Sequence, residues 1–483
     1  MSFAHPSSLE EALQDKSLIR TGAFVGNEWI KGDKTFAVVD PATGKPIAQV
    51  ADVEHDDILK AIAHAQAGFE KFRLTSEYER AKLLRDLASL VRSNAKDLAK
   101  LLIMENGKVL ADAEAEFAEE GIRSYGDIIP SRIGGTTNLT VHQPVGVCGI
   151  IAPWNFPLAM IARKIGPAIA AGCTVVIKPP REAPLCTLAI VSLAHQAEVP
   201  ADVIQVVPTS DRQAVEELYT HPVIKKISFT GSTSVGQFIC EKAARTVKRT
   251  SMELGGLAPF IVFDDADLSA AVDGLVACRF RCSGQTCISA NRVYVHQSIY
   301  DDFVQALEKR MKDFKVGSGF DRNVTHGPVI NQAAVDKVRS HIEDAVGKGA
   351  KLVHGGNVRK DLGGFFIEPA LLTGVTQDMA VAHEETFGPL APVIAFEAVE
   401  DVIRMANDSE VGLAGYFFSR DVKRIWHVAK ALEVGMVGVN TGKISAAEAP
   451  FGGVKESGLG REGSKYGLSE YQVIKNIILG GLD

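Results

Sequence analysis

Cys287 lies in FRCSGQTCISANR (280–292), flanked by Ser283, Gly284, Thr286 and Ser289. A thiol among small polar residues suits a nucleophile, because its thiolate is a strong attacking group once a base or a positive field favours it. From this segment alone a structural thiol fits equally well. Cys278, Cys282 and Cys287 are spaced by four and five residues with no histidine among them, which matches no zinc pattern. Glu253 sits in SMELGGLAPF (251–260), between apolar residues and the pair Gly255-Gly256. Glycines there admit backbone or ligand at close range. Burial would raise the carboxyl toward the range of a general base; a plain surface turn is the alternative. Asn155, in PWNFP (153–157), is held between two prolines, where its amide can donate into a cleft or merely complete a turn. Gly231-Ser232-Thr233-Ser234-Val235-Gly236 follows an apolar run and opens a helical pattern, so its backbone N–H groups could meet a phosphate. It is neither G-x-G-x-x-G nor a Walker loop. No G-x-S-x-G, H-E-x-x-H or EF-hand loop occurs, so serine-hydrolase, zinc-protease and calcium chemistry find no support.

These residues need elements to hold them. Short apolar runs recur at VCGIIAP (147–153), TVVIKP (174–179), DVIQVVP (202–208), KKISFTG (225–231) and PFIVFDD (259–265). Helical patterns such as LAMIARKIGPAIAAG separate most of them. Near-continuous apolar strands alternating with helices predict an α/β fold with a parallel, doubly wound sheet. Ligands bind such sheets at the carboxyl ends of the strands. Here those ends are Pro153-Trp154-Asn155, Lys178-Pro179-Pro180 and Thr230-Gly231-Ser232. The alternation continues with NRVYVH (291–296), an amphipathic helix over 298–314, PVIAFEA (392–398) and GMVGVN (435–440). Residues 54–120 read as helical, with Gly107 as a stop, and 134–146 as extended chain. The apolar tail YQVIKNIILGGLD predicts packing against something, plausibly a second subunit.

The chain has 483 residues, enough for about three domains and for a core without disulfide or metal staples. Its 46% hydrophobic and 23% charged residues exclude disorder and fibrous repeats. A net charge of -7 argues against nucleic-acid binding. No stretch reaches the roughly 18 apolar residues of a membrane span. The first twenty residues lack an apolar core and carry Glu10, Glu11 and Asp15, which predicts a cytoplasmic protein. Seven cysteines without a C-x-x-C pair argue against a secreted disulfide framework. The Asn138-Leu139-Thr140 sequon is then a chance match.

Taken together, PWNFP (153–157), FTGSTSVG (229–236), MELGG (252–256), GQTC (284–287), EETFGP (384–389) and PFGGVKESGLGREGSKYG (450–467) resemble the aldehyde dehydrogenase superfamily over nearly the whole chain. The resemblance implies a dinucleotide-binding domain (1–122 and 144–254), a catalytic α/β domain (255–464) and a small β oligomerisation segment (123–143 and 465–483), with assembly as a homodimer or homotetramer. It implies that Cys287 is the nucleophile and Glu253 the base that activates water. Asn155 and the backbone N–H of Cys287 would be the oxyanion donors. Trp154, Lys178, Arg181, Gly231, Ser232, Leu254, Glu385 and Phe387 would hold a nicotinamide dinucleotide. No metal is implied. Within the superfamily, Arg163, Arg281 and Ser445 resemble the residues with which the succinate-semialdehyde dehydrogenase branch binds the far carboxylate of its substrate. The expected reaction is oxidation of succinate semialdehyde through a thiohemiacetal and a thioester. Another ω-carboxy aldehyde such as glutarate semialdehyde, a simple aldehyde, or an inactive binding or structural role on the same fold are the alternatives.

The chain departs from the family pattern in places. Leu257 stands where many relatives have Lys or Asn, and Cys282 where Asn is common. Ser289 stands where some relatives carry a second cysteine, so Cys282 becomes the candidate oxidation partner of Cys287. Arg181 occupies the position where NAD-preferring relatives often have Glu. An arginine there attracts a 2′-phosphate, so NADP is expected to serve at least as well as NAD.

Overall fold

The computed structural model describes residues 5–114, 128–129 and 136–480. Of the arm expected at 123–143, residues 123–127 and 130–135 lie outside the described residues, as do 481–483 of the tail.

The first sheet has eight strands. Its centre is five parallel strands, side by side as Ile204–Val206, Thr174–Lys178, Val147–Ile151, Ile224–Thr230 and Arg249–Glu253. Numbered along the chain that order is 3-2-1-4-5, so the winding reverses between Val147–Ile151 and Ile224–Thr230. Both faces are covered. Cys148 and Ile150 face one core and Val147 and Ile151 the other, which is why the run is apolar without alternation. The helix Leu185–Gln196 buries ten of its twelve residues, because it lies between the sheet and the helices Glu77–Ser93 and Ala95–Asn106. Glu77–Ser93 starts with a Ser76–Glu79 capping box. Ala95–Asn106 ends at Gly107, whose φ of 84° and contact with Pro328 leave no room for a side chain.

The edges of this sheet are antiparallel. Ala23–Val25 and Glu28–Ile30 close one side and Gly458–Leu459 the other. Residues 458–459, sequentially within the expected catalytic stretch, thus belong to the first sheet.

The second sheet runs Lys351–His354, Ala370–Thr373, Leu390–Phe396, Ala290–His296, Ala258–Val262, Ala414–Phe418 and Met436–Val439, parallel except for its first pair. It is also buried on both faces: Phe260, Val293 and Val295 enter one core, Ile261 and Tyr294 the other. The helix expected over 298–314 spans Tyr300–Met311 after a 3-10 turn at Gln297–Ile299.

A third sheet joins the two ends of interest. Gln472–Gly480 pairs antiparallel with Thr136–Pro144 over nine residues, and Ile128–Ile129 adds to the other side. The tail therefore packs against the arm of its own chain, leaving Ile474 and Ile478 exposed. Among the described residues no helix is long and apolar enough to cross a membrane.

Candidate active site

The segment before Cys287 is wound against its natural hand. Cys282, Ser283 and Gly284 have φ of 51°, 52° and 75°. Left-handed backbone is unfavourable for residues with a Cβ and persists only where neighbours hold it. Here the Asp112 carboxylate accepts the Cys282 N–H at 2.8 Å, and Ser283 Oγ donates to the Gly327 carbonyl at 2.8 Å. Gly284 presses on the Gly388 carbonyl, 2.3 Å from where a Cβ would be. The tight turn delivers Cys287, partly buried, just ahead of the strand Ala290–His296.

Glu253 ends the strand Arg249–Glu253, and the chain then crosses to the second sheet through Leu254–Leu257. At the crossing, Gly256 lies so close to the Cys287 carbonyl that a Cβ would stand 2.4 Å from the oxygen. That contact brings the Glu253 turn onto the Cys287 segment. Asn155 approaches from the end of Val147–Ile151. Its Nδ2 donates to the Gln285 carbonyl at 3.0 Å, which fixes the amide and leaves one N–H to offer. Its own loop is tied from below: Asn106 Nδ2 donates to the Trp154 carbonyl at 2.9 Å and Lys108 Nζ to the Asn155 carbonyl at 3.2 Å. The structure thus gathers Cys287, Glu253 and Asn155 from three separate elements.

The electrostatics favour a resting thiol. Burial pushes Cys287 up to about 12, and the nearby carboxylates of Glu385 and Glu253 add to the rise against Arg163. Glu253 is 3% exposed and held well above the ordinary carboxyl range, first by burial and then by the Glu462 carboxylate; Lys164, Arg163 and Arg461 pull the other way. Its Oε2 finds no partner among the described residues. Gly452 admits it, since a Cβ there would lie 2.9 Å from Oε1. Lys164 is fully buried, pairs with Glu462 and donates to Thr230 Oγ1 at 2.7 Å. Sequence reasoning missed Lys164 and Glu462. Lys164 directly follows Arg163 in the helix Ala159–Ala171, and nothing in the sequence separates the buried cation from its neighbour.

The winding reversal makes a crevice at the strand ends, where a doubly wound sheet takes its ligand. Trp154 meets Phe387 edge to face, with ring centroids 5.6 Å apart. Ser232 precedes the helix Thr233–Ala244 and makes no side-chain cap bond, which keeps its hydroxyl available. Gly231 donates its N–H to the Glu253 carbonyl at 3.0 Å, and buried Leu254 fills the space over Gly236. Lys178 stands at its strand end with its ammonium held below the usual range by burial. Arg181 is exposed, its guanidinium 5.9 Å from the Phe36 ring centroid. Glu385 is raised to about 8 by burial, and its Oε1 is buried with no partner among the described residues. A Cβ on Gly255 would stand 3.3 Å from Glu385 Oε2. An open helix N-terminus, a lysine and a buried acceptor in want of donors suit a phosphate-linked nucleoside with ribose hydroxyls. The donor set fits a nicotinamide dinucleotide.

On the other side stand the arginines. Arg163 donates through Nη2 to Ser445 Oγ at 2.7 Å, and its guanidinium lies 4.4 Å from the Phe451 ring centroid. Its Nη1 is buried and has no partner among the described residues. Arg281 lies over Phe156 at 5.1 Å, with Asp112 at 4.0 Å from its Nε. Two guanidiniums held by aromatic faces, one with an unused donor, make a place for an anion.

Among the described residues no cysteine forms a disulfide. Cys282 does not meet Cys287. It packs into the first core with Sγ 3.8 Å from Asn106 Oδ1, whereas Cys287 packs against the second core. The left-handed turn sends the two side chains apart, so pairing them would require this segment to unwind.

Comparison with known proteins agrees on the kind of molecule. The sequence profile of the aldehyde dehydrogenase family matches residues 29–477. The chain is 50% identical over 480 residues to the mitochondrial succinate-semialdehyde dehydrogenase of Homo sapiens, covering 96% of this chain and 90% of that protein. It is 47% identical over 494 residues to succinate-semialdehyde dehydrogenase [NADP(+)] 1 of Schizosaccharomyces pombe, covering 99% of each. The crystal structure of succinate-semialdehyde dehydrogenase from Burkholderia pseudomallei superposes with a TM-score of 0.95 at 49% identity, covering 97% of this chain and 100% of that one.

Proposed function

The chain belongs to the aldehyde dehydrogenase family, and from that premise we propose that it oxidises succinate semialdehyde to succinate, with Cys287 as nucleophile and NADP as the dinucleotide it uses at least as well as NAD. The single observation that carries the substrate is Arg163: a guanidinium bonded to Ser445, stacked on Phe451, with a buried N–H left over for a carboxylate oxygen. Arg281 supplies a second positive charge on the nucleophile segment itself. A substrate carboxylate gripped there leaves its aldehyde end directed toward Cys287, whose thiol feels the Arg163 charge.

The chemistry follows from the groups around the sulfur. A thiol at about 12 is protonated at neutral pH, so a base must take its proton as it attacks. Glu253 is buried beside it with raised basicity. Attack on the aldehyde carbon forms a C–S bond and leaves an alkoxide. The free N–H of Asn155 and the backbone N–H of Cys287 stabilise that oxyanion, and losing one such donor typically costs about 100- to 1,000-fold. When bound, the dinucleotide supplies the two-electron acceptor for the hydride that leaves the same carbon. The product of that step is a thioester on Cys287. Once Glu253 has passed the thiol's proton to solvent, it takes a proton from water, which attacks the thioester; the acid leaves and that proton returns to the sulfur.

The cofactor preference rests on Arg181, exposed at the rim where it is free to meet a 2′-phosphate. Cysteines without disulfides among the described residues suit a reducing compartment, the cytoplasm. The pairing of Gln472–Gly480 with Thr136–Pro144, with Ile474 and Ile478 exposed, supports assembly as a homodimer or homotetramer through that sheet.

An aldehyde panel followed by absorbance of reduced cofactor, with NAD and with NADP, tests the proposal. Arg163→Ala and Arg281→Ala are expected to raise KM for succinate and glutarate semialdehydes while sparing neutral aldehydes. Equal losses on both classes would remove the carboxylate role. Cys287→Ser is expected to abolish turnover and leave the fold intact, which separates an enzyme from an inactive binding protein.

A further inference from the structure

Arg279 ends the helix Leu268–Arg279 and is 0% exposed. A buried guanidinium normally answers a carboxylate, because leaving a charge in low dielectric is costly. This one is answered by oxygens that carry no charge, and they come from two different loops. Nη1 donates to Ser289 Oγ at 2.8 Å, and Ser289 Oγ donates back to the Arg279 carbonyl at 3.2 Å. Nη2 donates to the carbonyls of Thr386 at 3.2 Å and Gly388 at 2.6 Å, and Nε to that of Leu390. Ser289 is two residues beyond Cys287, and 386–390 directly follows Glu385 and brackets Phe387.

The same two loops touch a second time, at Gly284 on the Gly388 carbonyl. Two further groups hold the 384–390 loop, one of them from the strand that follows Cys287. Asn291 Oδ1 accepts the Thr386 N–H at 2.8 Å, and His341 Nδ1 meets Thr386 Oγ1 at 2.6 Å. Asn291 also bridges the two loops, since its Nδ2 donates to the Ser289 carbonyl at 3.0 Å, but Arg279 makes more bonds across them, one to Ser289 and three to the carbonyls of Thr386, Gly388 and Leu390. Its planar fork presents several donors at fixed angles, which an ammonium cannot imitate.

We propose that Arg279, which touches neither substrate nor reacting atoms, is a positioning residue that clamps the nucleophile segment to the loop presenting Glu385 and Phe387 to the cofactor. The inference rests on the assignment of Glu385 and Phe387 made above. Moving either loop relative to the other changes the distance between the sulfur and the hydride acceptor, so the guanidinium helps to set the registry of two functions. Charge supports the geometry: burial lowers Arg279 to about 10, and Cys278 and Glu385 are the groups that oppose this.

The test uses the full-length protein and the variants Arg279→Gln, Arg279→Lys, Ser289→Ala and Glu385→Gln. Three quantities are read: Tm, the Kd for NADP from quenching of tryptophan fluorescence, and the rate at which iodoacetamide alkylates Cys287, located by mass spectrometry. Both Arg279 variants are expected to weaken NADP binding by about tenfold or more, the loss of one charge-assisted bond, and to change the alkylation rate of Cys287 severalfold. Ser289→Ala is expected to change the alkylation rate while holding Kd within about twofold, since it cuts only the arm to the nucleophile. A role confined to packing predicts a lower Tm with Kd and alkylation rate unchanged in the folded protein, and that result overturns the proposal. So does a change in one of the two readouts without the other in Arg279→Lys, which carries the test if Arg279→Gln does not fold. If Glu385→Gln leaves Kd unchanged, the cofactor placement fails and the clamp with it. If Glu385→Gln weakens binding and neither Arg279 variant does, the clamp alone is wrong.

Discussion

Replacing Glu253 by glutamine keeps the shape of the side chain and removes its basicity. The consequences can be worked from the site. With Cys287 at about 12, the thiolate fraction at pH 7 is roughly one in 100,000 without help from a base. Wild-type enzyme has that base 3% exposed beside the sulfur and raised by burial and by Glu462. Loss of a positioned general base costs on the order of 100- to 10,000-fold, so kcat of Glu253→Gln is expected to fall into that range at pH 7. Hydroxide must then serve for both the thiol and the hydrolytic water. The variant's kcat is therefore expected to climb about tenfold per pH unit from 7 to 10, with no plateau, while wild type levels off. Reduced-cofactor absorbance across that range is the assay. A variant within tenfold of wild type at pH 7, or a flat profile, would refute the assignment of Glu253 as base. Stability should move oppositely. A carboxyl whose folded pKa is raised above 4.5 keeps its stabilising proton only below that window, and stability declines as pH rises from 4.5 through the folded value. Glu253→Gln escapes this penalty, so its Tm is expected to exceed that of wild type at pH 8 and to match it near pH 4.5.

Asn155→Ala removes the proposed side-chain oxyanion donor and should lower kcat/KM by about 100- to 1,000-fold, with KM for cofactor little changed; a loss under tenfold would point to another donor. Arg181→Glu should shift the ratio of kcat/KM for NADP over NAD toward NAD by about 10- to 150-fold, the worth of one bond between charged groups; an unchanged ratio would move 2′-phosphate recognition elsewhere. Lys164→Met leaves Glu462 buried without its cation, which should cost about 3–5 kcal/mol by chemical denaturation. Adding Glu462→Gln should restore much of that loss, and a purely additive double variant would dissolve the pair as a unit.

Much of this molecule is legible in its sequence for a physical reason. Strands buried on both faces, such as Val147–Ile151 and Thr174–Lys178, must be apolar throughout, and that texture survives in one dimension. Their order 3-2-1-4-5 is not written in any segment, although the crevice it creates lies at strand ends that the runs already mark. The antiparallel edge Ala23–Ile30 is hard to read because it is three residues, a turn and three residues. Its signal is Gly26-Asn27, both at positive φ, the chemistry of a two-residue hairpin turn. Cys287 and Glu253 stand out because polar groups interrupt otherwise apolar or glycine-rich segments. Lys164, Glu462 and Arg279 do not, because a buried charge looks like a surface charge until its partners, 298 residues away for the first pair, are brought beside it.

The placement of the base explains why the two sheets must meet where they do. Glu253 is the last residue of a first-sheet strand, and Ala258 begins a second-sheet strand only five residues later. So short a crossing leaves little slack: Gly256 is already in contact with the Cys287 carbonyl, and Leu254 with Gly236 on the helix after Ser232. Glu253, the Cys287 segment and the crevice at the strand ends are consequently tied together by one crossover segment. Gly256→Ala thus places a methyl 2.4 Å from the Cys287 oxygen and 3.2 Å from Leu413 Cβ, and relieving it is expected to push the Cys287 segment away from Glu253. Overpacking of this kind costs about 1–3 kcal/mol of stability. Because a misplacement near 1 Å costs roughly 100-fold in rate, the activity of Gly256→Ala should fall far more than its Tm. A variant with normal kcat and a lowered Tm would mean that the crossover tolerates displacement and that the registry of Glu253 and Cys287 is set elsewhere.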